Sequence, residues 1–269
     1  MSVSVWKLTF NNQNYELFYV GKSVNLDEAS GKLAQGVFTT FRTYQHSKVL
    51  RFEDHIERLE SSSSLQGRSL ALDRALLSSA IKEVLEVFSG SNARIRIHCA
   101  FEKECIDIFL MGEAFLPYPD EIYVKGVSVR SVNFQRDNPA SKATSFITQT
   151  RELRAGKPRE IHEYIMVDNA GQILEGLTCN VFILREGIVW TANEGVLPGI
   201  TRQTVLDTVS LTGIGIHYGG YPVNELNLAD EVFITSASRG VMPVTEFDGT
   251  MIGSGKPGQV TQQIKSLFE

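Results

Sequence analysis

The sequence predicts an α+β protein of two domains, with a smaller N-terminal α+β domain and a larger C-terminal domain whose curved or barrel-like sheet carries helices. Strand-like alternation of apolar and polar residues recurs along the chain, whereas few segments have helical spacing. Strands and helices alternate irregularly, and no glycine-rich loop joins an early strand to a helix, which argues against a Rossmann fold. The stretch FLPYP, with two prolines and no periodicity, indicates a linker. We therefore expect domains over 1–114 and 122–269, joined by a linker over 115–121.

Composition and charge exclude several classes of protein. With 42% hydrophobic and 21% charged residues, the 269-residue chain has the composition of an ordinary globular protein. A net charge of -5 argues against a nucleic-acid partner, because such proteins need a basic face. We see no apolar run long enough to span a membrane. Cys99, Cys105 and Cys179 each lie in an apolar run, so we expect reduced thiols in a cytoplasmic protein and no metal site.

The N-terminal domain is predicted from strands of period two and from two helices. Val3–Phe10 and Tyr15–Val20 alternate on either side of Asn11–Asn14, which is typical of a hairpin and unlike a signal peptide. GVFTTFRTY, at Gly36–Tyr44, is rich in β-branched and aromatic residues and predicts a third strand. The other expected elements are a helical turn at Asp27–Leu33, a strand at Lys48–Leu50, helices at Phe52–Ser61 and between Asp73 and Gly90, a serine-rich connector at Ser61–Gly67, and strands at Ala93–Phe101 and Cys105–Met111.

The C-terminal domain is predicted from short strands that enclose few helices. A polar loop over Asn133–Ser141 leads to Lys142, and a helix is expected at Thr144–Ala155 although its apolar stripe is weak. A second helix runs from Thr201 to Gly213, and a third ends the chain. Strands are expected near Ile122–Val124 and at Val127–Val132, Glu163–Val167, Val181–Leu184, Ile188–Thr191, Ile214–His217, Val232–Thr235 and Val241–Phe247, with a helical turn at Asn224–Ala229.

The stretch from Leu174 to Arg202, LEGLTCNVFILREGIVWTANEGVLPGITR, has two chemically unusual features. Glu175 is a lone carboxylate at a strand end between apolar neighbours. After the break at Pro198–Gly199, Ile200 and Thr201 supply backbone N–H groups at a helix N-terminus, where unpaired donors and the helix dipole favour phosphate. A buried carboxylate beside a phosphate cradle suggests a phosphorylated cofactor with a basic ring atom.

Several ordered motifs together resemble a known family. EGLTCNVF, VLPGITR and ADEVFITSASRGVMPV, with the earlier GVFTTFRTY and HIERLESS, are similar to the class IV aminotransferases, which are fold-type IV enzymes that use pyridoxal 5'-phosphate. The resemblance runs from about Gly36 to Asp248. It implies a small N-terminal domain, a larger pseudo-barrel domain, and a homodimer with active sites at the domain and subunit junction. The family includes branched-chain and D-amino-acid aminotransferases, amine transaminases and aminodeoxychorismate lyase.

The resemblance implies that Lys142 is the Schiff-base lysine. An amine is required at that place, because only an amine condenses reversibly with the cofactor aldehyde and later moves a proton. Taken by itself, Lys142 is equally compatible with a solvated loop lysine. Lys125 and Lys157 are the alternative candidates.

The resemblance also implies the other cofactor contacts. Glu175 would pair with the pyridine nitrogen and keep the ring protonated, so that the ring withdraws electrons from the substrate. Arg58 would bind the phosphate, which suits the fork of a guanidinium. Ile200 and Thr201 would bind the phosphate through backbone N–H groups. The simpler interpretations are an exposed strand-end Glu175, an Arg58 paired with a neighbouring acidic residue of its helix, and an ordinary helix cap; Asn180 is expected to support the turn.

Three positions depart from the family pattern. Phe146 stands near the place where many relatives have a tyrosine that contacts the cofactor ring. Ala237 stands where many have a phosphate-binding threonine, so Ser236 or Ser238 is expected to substitute. The common FET motif is FTT, with Thr39 in the middle position. These changes bear on the substrate more than on the cofactor.

A carboxylate-bearing substrate needs a cationic clamp, usually arginine. The candidates are Arg42, Arg94, Arg96, His98 and Arg239. The face that carries Arg94, Arg96 and His98 is equally compatible with an ordinary solvated strand face.

The resemblance predicts an aminotransferase that moves an amino group between an amino acid or amine and a 2-keto acid. One alternative is a lyase of the aminodeoxychorismate type, which uses the same Schiff base to expel pyruvate. A further alternative is a non-catalytic relative that binds phosphate.

Overall fold

The computed structural model describes residues 2–11 and 13–268, which divide into two units. The first comprises the described part of Met1–Leu116 together with Ser141–Gln149. The second comprises Pro117–Ala140 and the described part of Thr150–Glu269. The predicted domains over 1–114 and 122–269, and the predicted linker over 115–121, remain a prediction. The segment with Lys142 packs in the first unit, although the predicted C-terminal range contained it.

The first unit is an antiparallel sheet covered by two helices. Its strands are ordered β2-β1-β6-β5-β3-β4, and Ile56 and Leu59 of α2 pack with Leu77 and Ile81 of α3 in one apolar cluster. The elements are β1 (Val3–Asn11), β2 (Asn14–Ser23), α1 (Leu26–Gly31), β3 (Gly36–Tyr44), β4 (Lys48–Val49), α2 (Phe52–Leu65), α3 (Arg74–Glu86), β5 (Ala93–Phe101), β6 (Ile106–Ala114) and, after a long excursion, α5 (Ser145–Gln149).

The predicted hairpin, the third strand and both helices of this unit are confirmed. Asn12, in the predicted hairpin turn, lies outside the described residues, as does Met1. The serine-rich connector at Ser61–Gly67 is wrong, because α2 continues to Leu65. Ser62 and Ser63 are fully buried there, and the Oγ of Ser63 donates to the carbonyl of Arg68 at 2.8 Å. Small hydroxyl side chains that bond to backbone groups remain compatible with a packed helix.

The second unit contains the remaining elements. They are α4 (Asp120–Lys125), β7 (Val127–Asn133), α6 (Arg151–Ala155), β8 (Ile161–Val167), β9 (Gln172–Gly176), β10 (Asn180–Arg185), β11 (Ile188–Thr191), α7 (Ile200–Thr212), β12 (Gly215–Tyr218), β13 (Tyr221–Pro222), a 3-10 helix (Val223–Leu228), β14 (Glu231–Ser236), β15 (Gly240–Phe247), β16 (Thr250–Met251) and α8 (Gln259–Phe268).

The sheet of the second unit closes on itself, which confirms the barrel-like prediction. Its strands follow the order β10-β14-β15-β7-β8-β9, and β9 pairs with β10 through Glu175 and Asn180. Val181 and Ile183 of β10 pack in the cluster that includes Val129 and Ile165, whereas Phe182 and Leu184 pack with α7 residues such as Val205. Both faces of β10 are therefore buried, as its continuous apolar run requires.

Two predictions in the central part of the chain are wrong. Residues 122–124 lie in helix α4 and not in a strand; its first turn carries Asp120 and Glu121, which favour a helix N-terminus, and it ends at Gly126, which has a φ of 76°. The helix expected at Thr144–Ala155 is two short helices, α5 and α6, which belong to different units. The weak apolar stripe of the predicted helix is consistent with two short helices in place of one. Of the helices in the described residues, none combines the length and hydropathy needed to cross a membrane.

Candidate cofactor site

The segment that carries Lys142 adds a short extended stretch beside β3 in the first unit. The N–H of Phe38 donates to the carbonyl of Lys142 at 3.0 Å, and the N–H of Thr144 donates to the carbonyl of Gly36 at 2.8 Å. The Thr144 hydroxyl accepts from the N–H of Gly36 at 2.8 Å. On the other side, the N–H of Lys142 donates to Oγ of Ser62 at 3.0 Å. The backbone of Lys142 is therefore held by both β3 and α2.

The half-buried side chain of Lys142 lies near an aromatic ring and two basic groups. Its Nζ is 4.8 Å from the centre of the Phe38 ring, in a cation–π arrangement. Burial, with further contributions from the charges of Arg58 and Lys142, holds the pKa of His55 well below its ordinary value. The charges of Arg58 and Lys142 therefore both act on the His55 ring.

Arg58 projects from α2 toward β3. Its Nη2 donates to Oγ1 of Thr39 at 3.0 Å, and the same oxygen lies 2.8 Å from Nδ1 of His55. Two of the acidic neighbours considered as partners of Arg58 form other pairs: Asp54 pairs with Arg51 at 2.6 Å and Glu53 lies 3.6 Å from Arg74. The FTT variation thus places a hydroxyl, Thr39, between the arginine and the histidine, a role that the sequence analysis did not assign.

Glu175 ends β9 in the second unit with a buried carboxylate. The residue is 2% exposed, which overturns the strand-end surface interpretation. Its Oε1 accepts from Nε of Arg136 at 3.1 Å, and its Oε2 accepts from Nδ2 of Asn180 at 3.2 Å and from the N–H of Leu197 at 3.1 Å. The sequence analysis missed Arg136, since an arginine in a polar loop gives no periodic signal. The expected supporting role of Asn180 is confirmed.

The start of α7 is tied to the same carboxylate. Leu197, whose N–H reaches Glu175, precedes the Pro198–Gly199 break, and its carbonyl accepts from Nδ2 of Asn180 at 3.0 Å. A side chain at Gly199 would place its Cβ 2.1 Å from Oδ1 of Asn180, so this close approach requires glycine. No side chain among the described residues caps α7, which begins at Ile200 with Thr201 next. Its first N–H groups have no intrahelical partner and form an anion-binding end.

Ser236 ends β14, and Ala237 and Ser238 follow it at the same end of the barrel. Thr235, the residue before them, pairs with Asn180 across the β10–β14 ladder. The three residues are half-buried, and Oγ of Ser236 accepts from the N–H of Arg239 at 3.3 Å. The serines that were expected to replace a phosphate-binding threonine therefore lie beside the strand end that holds Asn180.

These residues fit pyridoxal phosphate by their chemistry. Within the second unit, one hydrogen-bonded network joins a buried carboxylate, suited to a protonated ring nitrogen, to a helix start, suited to a phosphate. Lys142 and Arg58, which the resemblance assigns to the same cofactor, belong to the first unit. Phe146, buried on α5, offers no hydroxyl in place of the family's tyrosine.

The alternative lysines have other partners. Nζ of Lys125 pairs with Glu121 one helical turn away, and its side chain is 71% exposed. Nζ of Lys157 donates to the carbonyl of Ile161.

Of the two interpretations of the β5 face, the solvated one is wrong for Arg96 and His98, because α1 and the loop that follows it cover these two residues. Arg96 is 7% exposed, and its guanidinium donates to Asp27 of α1 at 2.9 Å and to Ser30 at 2.9 Å. His98 is fully buried, and its Nε2 lies 3.1 Å from the carbonyl of Ala34. Both side chains hold α1 and the following loop on the sheet, and their suggested contact with substrate stays a prediction.

The other substrate candidates also have partners in their own units. Arg94 forms an ion pair with Glu113. The Arg42 guanidinium stacks 4.4 Å from the centre of the Tyr44 ring. Arg239 is held in a polar cluster, where it donates to Oε2 of Glu163 at 3.1 Å and to Oγ1 of Thr178 at 2.8 Å. Substrate contacts by these arginines stay a prediction.

Comparison with known proteins gives consistent matches. The model of the family "Amino-transferase class IV" matches residues 36–247. The chain is 36% identical to a D-alanine aminotransferase of Listeria monocytogenes, over 91% of this chain and 90% of that protein. It is 25% identical to a branched-chain-amino-acid aminotransferase of Pseudomonas aeruginosa, over 87% of this chain and 82% of that protein. The crystal structure of a branched-chain aminotransferase from Thermoproteus uzoniensis with norvaline has a TM-score of 0.78 at 26% identity, covering 100% of this chain and 94% of that one.

Proposed function

The chain belongs to the class IV aminotransferase family, and we propose that Lys142, Arg58, Glu175 and the start of α7 serve one pyridoxal phosphate in its amino-group transfer. The protein is a pyridoxal-phosphate-dependent aminotransferase. The observation that carries the assignment of residues is the hydrogen bond in which the buried carboxylate of Glu175 accepts from the N–H of Leu197, at 3.1 Å, just before the first turn of α7. A ring nitrogen and a phosphate are the two groups that such a network recognises.

Each residue has a distinct role in this proposal. When bound, pyridoxal phosphate supplies an aldehyde for exchange of amino groups and a ring that withdraws electrons. Lys142 would supply the amine that holds the cofactor covalently, and the same amine would move a proton at the substrate α-carbon. Glu175 holds the proton of the ring nitrogen.

The phosphate is bound from several directions. Arg58 supplies a charged fork, Ile200 and Thr201 supply backbone N–H groups, and Thr201 adds its hydroxyl. Ser236 and Ser238 supply hydroxyls where relatives have a threonine, and Ala237 lies between them.

We propose an α-amino acid as amino donor and a 2-keto acid as acceptor, as the names of the relatives suggest: D-alanine for one group and branched-chain amino acids for the other. No observation favours the lyase or the non-catalytic alternative. The clamp for the substrate carboxylate is proposed among Arg42, Arg94, Arg96, His98 and Arg239.

A half-reaction screen tests the function. The protein loaded with pyridoxal phosphate is mixed with single L- and D-amino acids, amines or aminodeoxychorismate, and the cofactor spectrum is followed. We expect at least one α-amino acid to convert the cofactor to its amino form and to release the matching keto acid. Reaction with aminodeoxychorismate alone, with release of pyruvate, would instead identify a lyase. No reaction with any compound would support a non-catalytic relative.

A homodimer in the cytoplasm is proposed from the family resemblance and from the reduced cysteines expected in the sequence. Light scattering should give twice the mass of the chain, and a monomeric mass in the loaded, active protein would overturn the dimer.

A further inference from the structure

We propose that Arg136 is a positioning residue that keeps Glu175 ionised and thereby keeps the shared proton on the ring nitrogen of pyridoxal phosphate. The inference rests on the proposed function, because it takes Glu175 as the partner of the ring. It assigns a role to a residue that the motifs did not reveal.

The contact is a buried ion pair. Nε of Arg136 lies 3.1 Å from Oε1 of Glu175, and the two side chains are 7% and 3% exposed. The donors on Oε2, Asn180 and the N–H of Leu197, are uncharged. Arg136 therefore places a positive charge beside this carboxylate, whereas the donors to Oε2 are neutral.

Burial changes the proton affinity of a carboxylate that lies beside a basic nitrogen. Desolvation disfavours the charged form and raises the proton affinity of a buried carboxyl, whereas an adjacent cation lowers it. An arginine remains protonated in a protein, so its charge does not depend on pH over the range in which enzymes work. Burial lowers the pKa of Arg136 itself, and the charge of Glu175 opposes that shift, so each partner stabilises the ionised form of the other.

One proton is divided between two atoms, the ring nitrogen and a carboxylate oxygen. If the carboxylate is weakly basic, the proton stays on nitrogen, and the ring is a strong electron acceptor. If the carboxylate becomes more basic, the proton moves to oxygen, the neutral carboxyl donates to an unprotonated nitrogen, and the ring accepts electrons poorly. Arg136 favours the first arrangement. Its removal should raise the proton affinity of Glu175 by roughly ten- to a thousandfold.

The charge of this carboxylate also affects the pKa of other ionisable groups. The charge of Glu175 acts on Arg202 in the first turn of α7 and on the thiol of Cys179, and both groups are buried. Arg202 donates to the carbonyl of Ala192 at 3.0 Å. Because Arg136 forms an ion pair with Glu175 at 3.1 Å, substitution of Arg136 is the direct test.

The experiment measures the ring nitrogen itself. The enzyme is loaded with pyridoxal phosphate labelled with nitrogen-15 in the ring, and the nitrogen chemical shift is followed against pH. Arg136→Gln removes the charge and keeps a hydrogen-bond donor. Arg185→Gln is the matched control, because it removes an arginine that pairs with Glu225 in the same unit. We expect a protonated ring nitrogen in the wild type and in Arg185→Gln, and an unprotonated one in Arg136→Gln.

A second variant keeps the test decisive if Arg136→Gln does not fold. Arg136→Lys retains a positive charge, but a buried lysine loses its proton more readily than an arginine. We expect its ring nitrogen to be protonated at neutral pH and to lose the proton at a lower pH than in the wild type. Equal titration curves in the wild type and in the folded Arg136 variants would overturn the inference.

The outcomes separate the inference from the proposed function. A wild-type ring nitrogen that is unprotonated at neutral pH, or a wild type that does not bind the cofactor, would overturn both. A protonated nitrogen that every folded Arg136 variant preserves would overturn the role of Arg136 alone and leave Glu175 as the ring partner.

Discussion

The backbone N–H of Lys142 donates to Oγ of Ser62 at 3.0 Å, so a loop residue is tied to a helix eighty positions away in the sequence. Ser62 is fully buried in α2, in the stretch that its composition suggested was a connector. The same hydrogen bond fixes the backbone from which the proposed Schiff-base amine projects.

Substitution of Ser62 by alanine should slow covalent capture of the cofactor. The N–H of Lys142 loses its acceptor, and a buried unsatisfied donor costs about 1–3 kcal/mol. Ser63→Ala is the matched control, since it removes a buried hydroxyl of the same helix that bonds to the carbonyl of Arg68. Denaturant unfolding should show both variants destabilised. The absorbance change after addition of pyridoxal phosphate should be slower for Ser62→Ala, and equal rates in the two variants would exclude this role of Ser62.

Arg58→Ala should weaken cofactor binding through the phosphate. A charge-assisted hydrogen bond contributes about 1.5–3 kcal/mol, which corresponds to roughly ten- to a hundred-and-fifty-fold in affinity. The protein should stay folded, because the apolar side of α2 is intact, and excess pyridoxal phosphate should restore activity. Titration with pyridoxal, which lacks the phosphate, should give nearly equal affinities for wild type and variant. Equal losses for both compounds would show that Arg58 acts through packing.

Glu175→Gln should reduce turnover much more than cofactor affinity. A neutral amide does not hold the ring nitrogen protonated, while Arg58 and the start of α7 keep the phosphate contacts. The amide oxygen still accepts from Leu197 or Asn180, so the local backbone retains its hydrogen bonds. Half-reaction rates and cofactor titrations, measured on the same preparation, separate the two effects. Turnover close to that of the wild type would remove Glu175 from its assigned role.

His98 should make the protein less stable in acid. Burial, with a smaller contribution from the Arg96 charge, lowers the pKa of His98 to about 4, although its bond to the carbonyl of Ala34 opposes the shift. Between the unfolded value of about 6.5 and this native value, the unfolded chain binds a proton that the native protein does not. Stability should therefore fall with decreasing pH, by at most about 1.4 kcal/mol per pH unit from this group.

The variant His98→Gln isolates that contribution, because it keeps a donor near Ala34 and removes the titrating ring. Urea unfolding from pH 7 to pH 4 should show a shallower loss of stability in the variant, while the carboxylates act equally in both proteins. Parallel curves would show that His98 does not titrate differently in the native and unfolded states.

Local patterns were sufficient for most elements but not for the packing of distant segments. Period-two alternation located β5 with its observed bounds, and β-branched and aromatic residues located β3. The alternation of β5 did not reveal that α1 and the following loop cover its other face, so a solvated face stayed one of two open interpretations for Arg96 and His98. Residues 122–124 form a helix although Ile122 and Val124 are β-branched, since the acidic first turn and Gly126 at the helix end outweigh a short apolar run.

The site residues that lie in a recognisable motif could be predicted from the sequence. The residues whose contacts join separate segments could not. Glu175 and the start of α7 lie in one motif-rich stretch, and the structure joins them by a hydrogen bond. Arg136 meets Glu175 when a loop packs against β9, and Thr39 meets Arg58 when β3 packs against α2. A polar loop residue has no periodicity from which such a partner could be inferred.

The central claim is that Lys142 holds pyridoxal phosphate covalently. The most direct test is borohydride reduction of the loaded protein, followed by proteolysis and mass-spectrometric mapping of the modified peptide. We predict that the phosphopyridoxyl group lies on Lys142 and that Lys142→Ala is not labelled. Labelling of Lys125 or Lys157 in place of Lys142, or undiminished labelling of Lys142→Ala, would contradict the account.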